Sequence, residues 1–161
     1  MNITGYIKTA AIVAVASTIA TGAMAETDNT ETVKFFYDAY NENNPDLLDK
    51  VLAENWEDIP PNPGQDIGRD AFKPYVAGAG YVFGDLKITN DDIIEAGNKV
   101  IVRSTIEAVH VGEFAGFEAT NLPMTIMAID IHEFNDEGLV VKTWHVEEFL
   151  SALYQIGAIG Q

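Results

Sequence analysis

The sequence predicts one α+β domain behind a removable leader, and three observations carry that prediction. Apolar side chains at helical spacing are confined to the stretch between Thr30 and Ala79. From Asp85 onward the chain becomes β-branched and apolar, in runs separated by turn residues. The last two runs, Met124 to Phe134 and Leu139 to Val146, flank Asn135-Asp136-Glu137-Gly138, a turn cluster with glycine last, and so form a β-hairpin. Helices followed by an antiparallel meander place the helices on one face of a curved sheet.

Residues 1–25 have the pattern of a secretory signal: Lys8 near the start, an apolar run from Thr9 to Ala20, and Ala23-Met24-Ala25 as a small-x-small cleavage site. The run is too short and alanine-rich for a good membrane span. Cleavage would leave residues 26–161, enough for one domain with a core and too few for two. The expected location is the periplasm or the exterior, with no membrane attachment of the mature form. With no cysteine, the chain has neither a disulfide nor a thiol nucleophile. Its formal charge of −16, all acidic residues lying beyond the leader, argues against nucleic acid and anionic membrane surfaces as partners.

After the polar lead-in Glu26–Asn29, Thr30 to Asn41 is predicted as a helix with Val33, Phe36, Tyr37 and Tyr40 on one side. Asn44 then caps a second, short helix whose first residue is Pro45 and whose stripe is Leu47, Leu48, Val51 and Leu52. Trp56 to Ile59 is a short strand, closed by the irregular run Pro60 to Gly64. Arg69 to Ala79 is a third helix with Phe72, Tyr75 and Val76 inward. Pro74 inside it costs on the order of 3 kcal/mol, so the helix is expected to be short, kinked, or to begin near Lys73. Leu86–Ile88, Asp92–Glu95 and Val100–His110 are strands, with turns at Asn90-Asp91 and Gly97-Asn98. Val111 to Asn121 is a long connection, and Phe149 to Gln155 is a closing helical turn or two.

Both hairpin limbs are apolar on both faces, so the polar groups Asp130, His132, Thr143 and His145 stand out. If Phe134 faces Leu139 across the turn, Asp130 faces Thr143 and Ala128 faces His145, and all four polar groups share one face. A one-residue slip would separate the two limbs' sets.

The residues Gly68-Arg69-Asp70-Ala71-Phe72, Gly84-Asp85-Leu86-Lys87-Ile88, His110-x-Gly112-x-Phe114-x-Gly116, Ile129-Asp130-Ile131, and Trp144 with Glu148 ahead of Gln155-Ile156-Gly157-Ala158-Ile159 occur in an order that resembles the SnoaL-like polyketide cyclase (ester cyclase) family of the nuclear transport factor 2-like superfamily. The resemblance spans nearly all of Glu31 to Ile159. It implies a cone of bent antiparallel sheet, with the N-terminal helices packed on its concave face, a pocket inside, and dimers through the outer sheet. It also implies intramolecular aldol closure without metal or cofactor, by a carboxylate and a neighbouring histidine. The chain departs from the pattern at Ile59, where relatives often have histidine, at Thr120-Asn121 in place of a threonine-glycine pair, and in its leader.

Asp130 is the foremost candidate: a carboxylate on an apolar strand has a raised pKa unless paired, as acid–base work near neutrality requires. A structural hydrogen bond to Thr143 is the competing reading. His145 either polarises a carbonyl or is a satisfied core histidine, and His132 lies nearer the rim. His110 is read as positioning its loop, and Trp144 as core or dimer surface. Of Glu147 and Glu148, one caps the last helix and the other, taken as Glu148, faces the pocket. Tyr37, Tyr40, Trp56, Phe72, Tyr75 and Thr143 complete the expected ligand contacts. No local motif supports a metal site or a serine nucleophile. Two functions follow from this set. One is an exported, cofactor-free cyclase, isomerase or lyase acting on a small, largely apolar carbonyl compound, with Asp130 moving the proton and His145 or His132 polarising the enolate. The other is a periplasmic module that only binds such a molecule. The outer sheet face, with Met127, Ile129, Ile131, Trp144 and Val146, is expected to pair as a homodimer or be covered by Leu150 to Ile159.

Overall fold

The computed structural model describes residues 28–160; the reading of residues 1–25 as a signal peptide lies outside them. Asp28 caps the first turn, α1 (Asn29–Thr32), by accepting from the Thr30 and Glu31 amides. A break at Val33 separates it from α2 (Lys34–Asn41), so the helix expected over Thr30–Asn41 comes in two pieces with its stripe of Val33, Phe36 and Tyr37 buried. Asn44 accepts from the Asp46 amide and starts a 3-10 helix, Pro45–Lys50, with proline at its head.

The first strand, β1 (Leu52–Ile59), begins earlier than expected, and α3 (Arg69–Val82) begins at Arg69 and runs past Pro74. Pro74 and Asp70 are both exposed, so the Asp70 carbonyl that Pro74 deprives of a donor can be met by water. Then follow β2 (Phe83–Ala96), β3 (Lys99–His110), β4 (Pro123–Phe134), β5 (Val140–Glu147) and α4 (Phe149–Gln155). The two short strands expected around Asn90-Asp91 are one strand: Asn90 pairs with Ser104 and Asp92 with Arg103, which makes a bulge where a turn was expected. The two-residue turn at Gly97-Asn98 is present, closed by the Ala96–Lys99 pair.

The five strands form one sheet in the order β1-β5-β4-β3-β2, with β1 parallel to β5 and every other pair antiparallel. The α+β cone is thus as the sequence predicts, and the two hairpin limbs are adjacent. Their register differs. Asp130 faces His145 and His132 faces Thr143, where Asp130–Thr143 and Ala128–His145 were expected. The loop also takes in Leu139, whose amide donates to Asn135 Oδ1, and the ladder is interrupted between Glu133 and Phe134. The net offset is two residues, so every side chain keeps its face and the polar groups converge.

The helices and the inner sheet face enclose two apolar clusters. One gathers Phe36, Leu48, Trp56, Phe72 and Val76 against Val100, Val102 and Phe134. The other joins Ala152 and Ile156, from α4 and its end, to Ala108, Met124 and Ile126. Because α4 packs there, it does not cover the outer face, where Met127 is 38% and Val146 62% exposed. No helix among the described residues is long and apolar enough to cross a membrane.

Candidate functional site

Between the helices and the concave face of the sheet lies a cavity of about 510 Å³. Tyr37 and Tyr40 reach it from α2, and Phe72 and Tyr75 from α3. The sheet contributes Asp130 from β4, and Thr143, His145 and Glu147 from β5. Alternation along β5 explains the last three, since positions 143, 145 and 147 share a face.

A buried chain of hydrogen bonds runs behind this surface, and its direction follows from its ends. Trp56 Nε1 can only donate, and it donates to Thr143 Oγ1 at 2.9 Å. The Thr143 hydroxyl passes its proton toward His132 Nδ1 at 3.0 Å. Burial and the charge of His145 push the His132 pKa down to about 3, so the ring is neutral and carries its one proton on Nε2. That proton points to Tyr37 Oη at 3.0 Å, and Tyr37 donates to Asp130 Oδ2 at 2.9 Å. Every member is thereby satisfied with one donor direction throughout.

Asp130 is 6% exposed, and burial, with the negative charges of Glu147 and Asp58, outweighs the Tyr37 hydrogen bond and the charge of His145 to push its pKa up to about 6. Its Oδ1 has no partner among the described residues. His145 is the opposite case. Burial acts to lower its pKa, but hydrogen bonds to Asp58 and Glu147 prevail and push it up to about 11. Nδ1 lies 2.9 Å from Glu147 Oε1, and Nε2 lies 3.2 Å from Asp58 Oδ1 and 2.9 Å from the Pro60 carbonyl. His145 is therefore an imidazolium with both N–H groups committed.

Several expected site residues fall elsewhere. His132 is fully buried behind Tyr37, away from the rim and outside the cavity wall, because its face points into the apolar cluster under α2. Trp56 is also fully buried and supports Thr143 without lining the cavity. Glu148 lies outside the cavity too. Beyond Glu147 the β5 strand ends, and Glu148 Oε2 accepts from the Met127 amide that β5 would have met, while Gln155 serves Thr125 in the same way. Glu147 takes the position expected of Glu148. His110 holds its loop, with Nδ1 within 3.2 Å of Thr120 Oγ1 and 3.3 Å of the Thr120 amide.

Three cavity residues were not among the expected site residues, although Glu147 had been weighed against Glu148. Asp58 shares the inward face with Trp56, two positions before it, and parallel pairing sets it beside Thr143. Glu147 was marked by its parity with Thr143 and His145. Ser104 lines the cavity, fully buried, and its Oγ has no hydrogen-bond partner among the described residues. Tyr40 also lines the cavity with no hydrogen bond from its hydroxyl to a described residue; burial and the charges of Asp58, Asp130 and Glu147 raise its pKa, so it remains a proton donor. Asp130, His145 and Glu147 each place a potential ligand atom within 4.8 Å of the others. With both imidazole nitrogens engaged, His145 offers no free lone pair to a metal in this arrangement.

Comparison with curated protein sequences finds no match. Among solved structures, TsrD from Streptomyces laurentii superposes with a TM-score of 0.74 at 29% identity, covering 80% of this chain and 94% of its own. A proposed polyketide cyclase from Bacillus cereus gives 0.70 at 21% identity, over 82% of this chain and 83% of that one. IdmH, a proposed polyketide cyclase from Streptomyces antibioticus, gives 0.68 at 21% identity over 81% and 99%. These similarities agree on the fold. The sequence signature described as SnoaL-like polyketide cyclase matches residues 30–156, which include every residue of the cavity wall, and the chain belongs to that family.

Proposed function

We propose that the protein is a cofactor-free acid–base catalyst acting on a small carbonyl compound, as a cyclase, isomerase or lyase. The observation that supports this reading most is Asp130. It sits in a largely apolar cavity with a pKa near the working range of a general base, one oxygen held by Tyr37 and the other open to a substrate. Asp130 removes a proton next to the carbonyl and returns it at the product stage. Neither histidine has a spare N–H for the developing enolate, so the hydroxyls of Tyr40 and Ser104, which have no partners among the described residues, take the role expected of His145 and His132. His145 instead fixes Asp58 and Glu147.

Residues 1–25 would export the domain, so that the reaction takes place in the periplasm or outside the cell. Native mass spectrometry of the exported protein tests both points at once. The expected result is a chain starting at Glu26 with a carbonyl-bearing ligand that wild type converts and Asp130→Asn does not. A ligand retained unchanged by both proteins would make this a binding module.

A further inference from the structure

The cavity wall carries more negative charge than the fold neutralises. Among the described residues the cavity is lined by four carboxylates, Asp58, Asp130, Glu147 and the exposed Glu113, by one imidazolium, His145, and by no lysine or arginine. The Asp58 side chain is 4% exposed and that of Glu147 19%. Arg69 and Lys73 pair with Asp49, Lys99 with Glu133, Arg103 with Asp91 and Asp92, and Lys142 with Glu57, all away from the cavity carboxylates. A buried surplus of this kind is costly unless an occupant of opposite charge offsets it.

A second observation points to the same occupant. Ser104 Oγ, fully buried at the cavity wall, has no partner among the described residues. Asp130 Oδ1 is open near it, two residues along the neighbouring strand and so on the same face, since Ser104 pairs with Ala128 and Val102 with Asp130. An oxygen of Asp130 and one of Glu147 lie within 4.8 Å of each other. That spacing suits a nitrogen donating to both at about 2.8 Å. The helices line the same cavity with Phe36, Tyr40, Phe72 and Tyr75, and an aromatic ring attracts a cation.

We infer that the cavity takes a ligand with a positively charged amino group on an apolar body, the ammonium held between Asp130, Glu147 and Ser104 and the body against the aromatic rings. This rests on the carbonyl reading only in naming the substrate more closely: the substrate would be an amino-carbonyl compound, its ammonium resting on Glu147 when Asp130 Oδ1 takes the proton and Ser104 turns to the enolate, and its positive charge offsetting the enolate formed among carboxylates.

The test compares three ligands of one shape in the mature domain at neutral pH, by calorimetry: 4-phenylbutylamine, 4-phenylbutanol and 4-phenylbutyrate. The amine is expected to bind roughly tenfold or more tightly than the alcohol, and the carboxylate more weakly than either. Glu147→Gln should reduce the preference for the amine over the alcohol severalfold, with the circular dichroism and melting of the variant showing that it is folded. Equal binding of amine and alcohol, or preferred binding of the carboxylate, would overturn the inference. The two readings fail separately. Asp130-dependent turnover of amine-free carbonyl compounds without amine preference leaves the catalyst and removes the cation site. Amine preference without turnover of any amino-carbonyl or amine-free carbonyl compound does the reverse.

Discussion

At the scale of single residues, Asp130 and His145 face each other with pKa values displaced upward for different reasons, and each displacement fixes a pH dependence. For Asp130 the folded value of about 6 exceeds the unfolded value of about 3.9, so the fold favours the protonated form. Stability from this group is full below about pH 4, falls between pH 4 and 6, and is flat above. Asp130→Asn cannot ionise, yet its amide oxygen still accepts from Tyr37. Denaturant titration should therefore find it about 2 kcal/mol more stable than wild type at pH 7 and no better at pH 4. A stability loss at pH 7 would contradict this account of the carboxyl. For His145 the folded value of about 11 also lies above the unfolded value of about 6.5, and the same rule has the opposite chemical meaning: the charged form is favoured, and its contribution is lost as pH rises from about 6.5 to 11. Histidine-resolved NMR should show His145 charged at pH 8 and His132 neutral at pH 5. A His145 that titrates near pH 6.5 would mean that the Asp58 and Glu147 contacts do not hold in solution.

Among the elements, the parts written in local chemistry were legible and the parts set by long-range packing were not. The helix stripe of Phe36, Tyr37 and Tyr40, the Asn44-Pro45 start and the hairpin over Asn135–Gly138 each follow from periodicity or from the residues a cap or turn requires. Alternation also brought Asp130, His132, Thr143 and His145 to one face. It could not say which would reach the cavity, because that depends on α2 laying Tyr37 over His132. Nor could it place Asp58, since a parallel contact between β1 and β5 has no local signature. The connection between β3 and β4 shows how tightly such packing is drawn. The Val111 and Gly112 amides both donate to the Val82 carbonyl, and a Cβ on Gly112 would come within 2.2 Å of the Tyr81 carbonyl oxygen. Gly112→Ala should thus cost about 2 to 4 kcal/mol in thermal unfolding, and by moving Glu113 and Phe114 at the cavity wall it should weaken ligand binding as well. An unchanged melting temperature would show that the connection shifts freely.

At the scale of the whole molecule, the sheet has one face buried by helices and another that carries apolar side chains toward solvent. Met127, Ile129, Ile131, Trp144 and Val146 lie on this outer face, with Met127 and Val146 exposed and α4 packed on the other side. Trp144 is partly covered by Lys99, whose ammonium lies 4.2 Å from its ring centroid. An apolar face of this kind is buried most simply by a second copy related by a two-fold axis. The formal charge of −16 opposes that pairing, and salt screens it, with a Debye length of about 8 Å at physiological ionic strength. Association should therefore tighten as salt is raised, the opposite of a contact made by ion pairs. Sedimentation at micromolar concentration is expected to show a dimer that strengthens from low to physiological salt, and Val146→Glu should return it to monomer without changing the cavity, since residue 146 points away from it. A wild-type monomer under these conditions, or a dimer indifferent to Val146→Glu, would mean that the outer face is left to water or that the copies meet elsewhere.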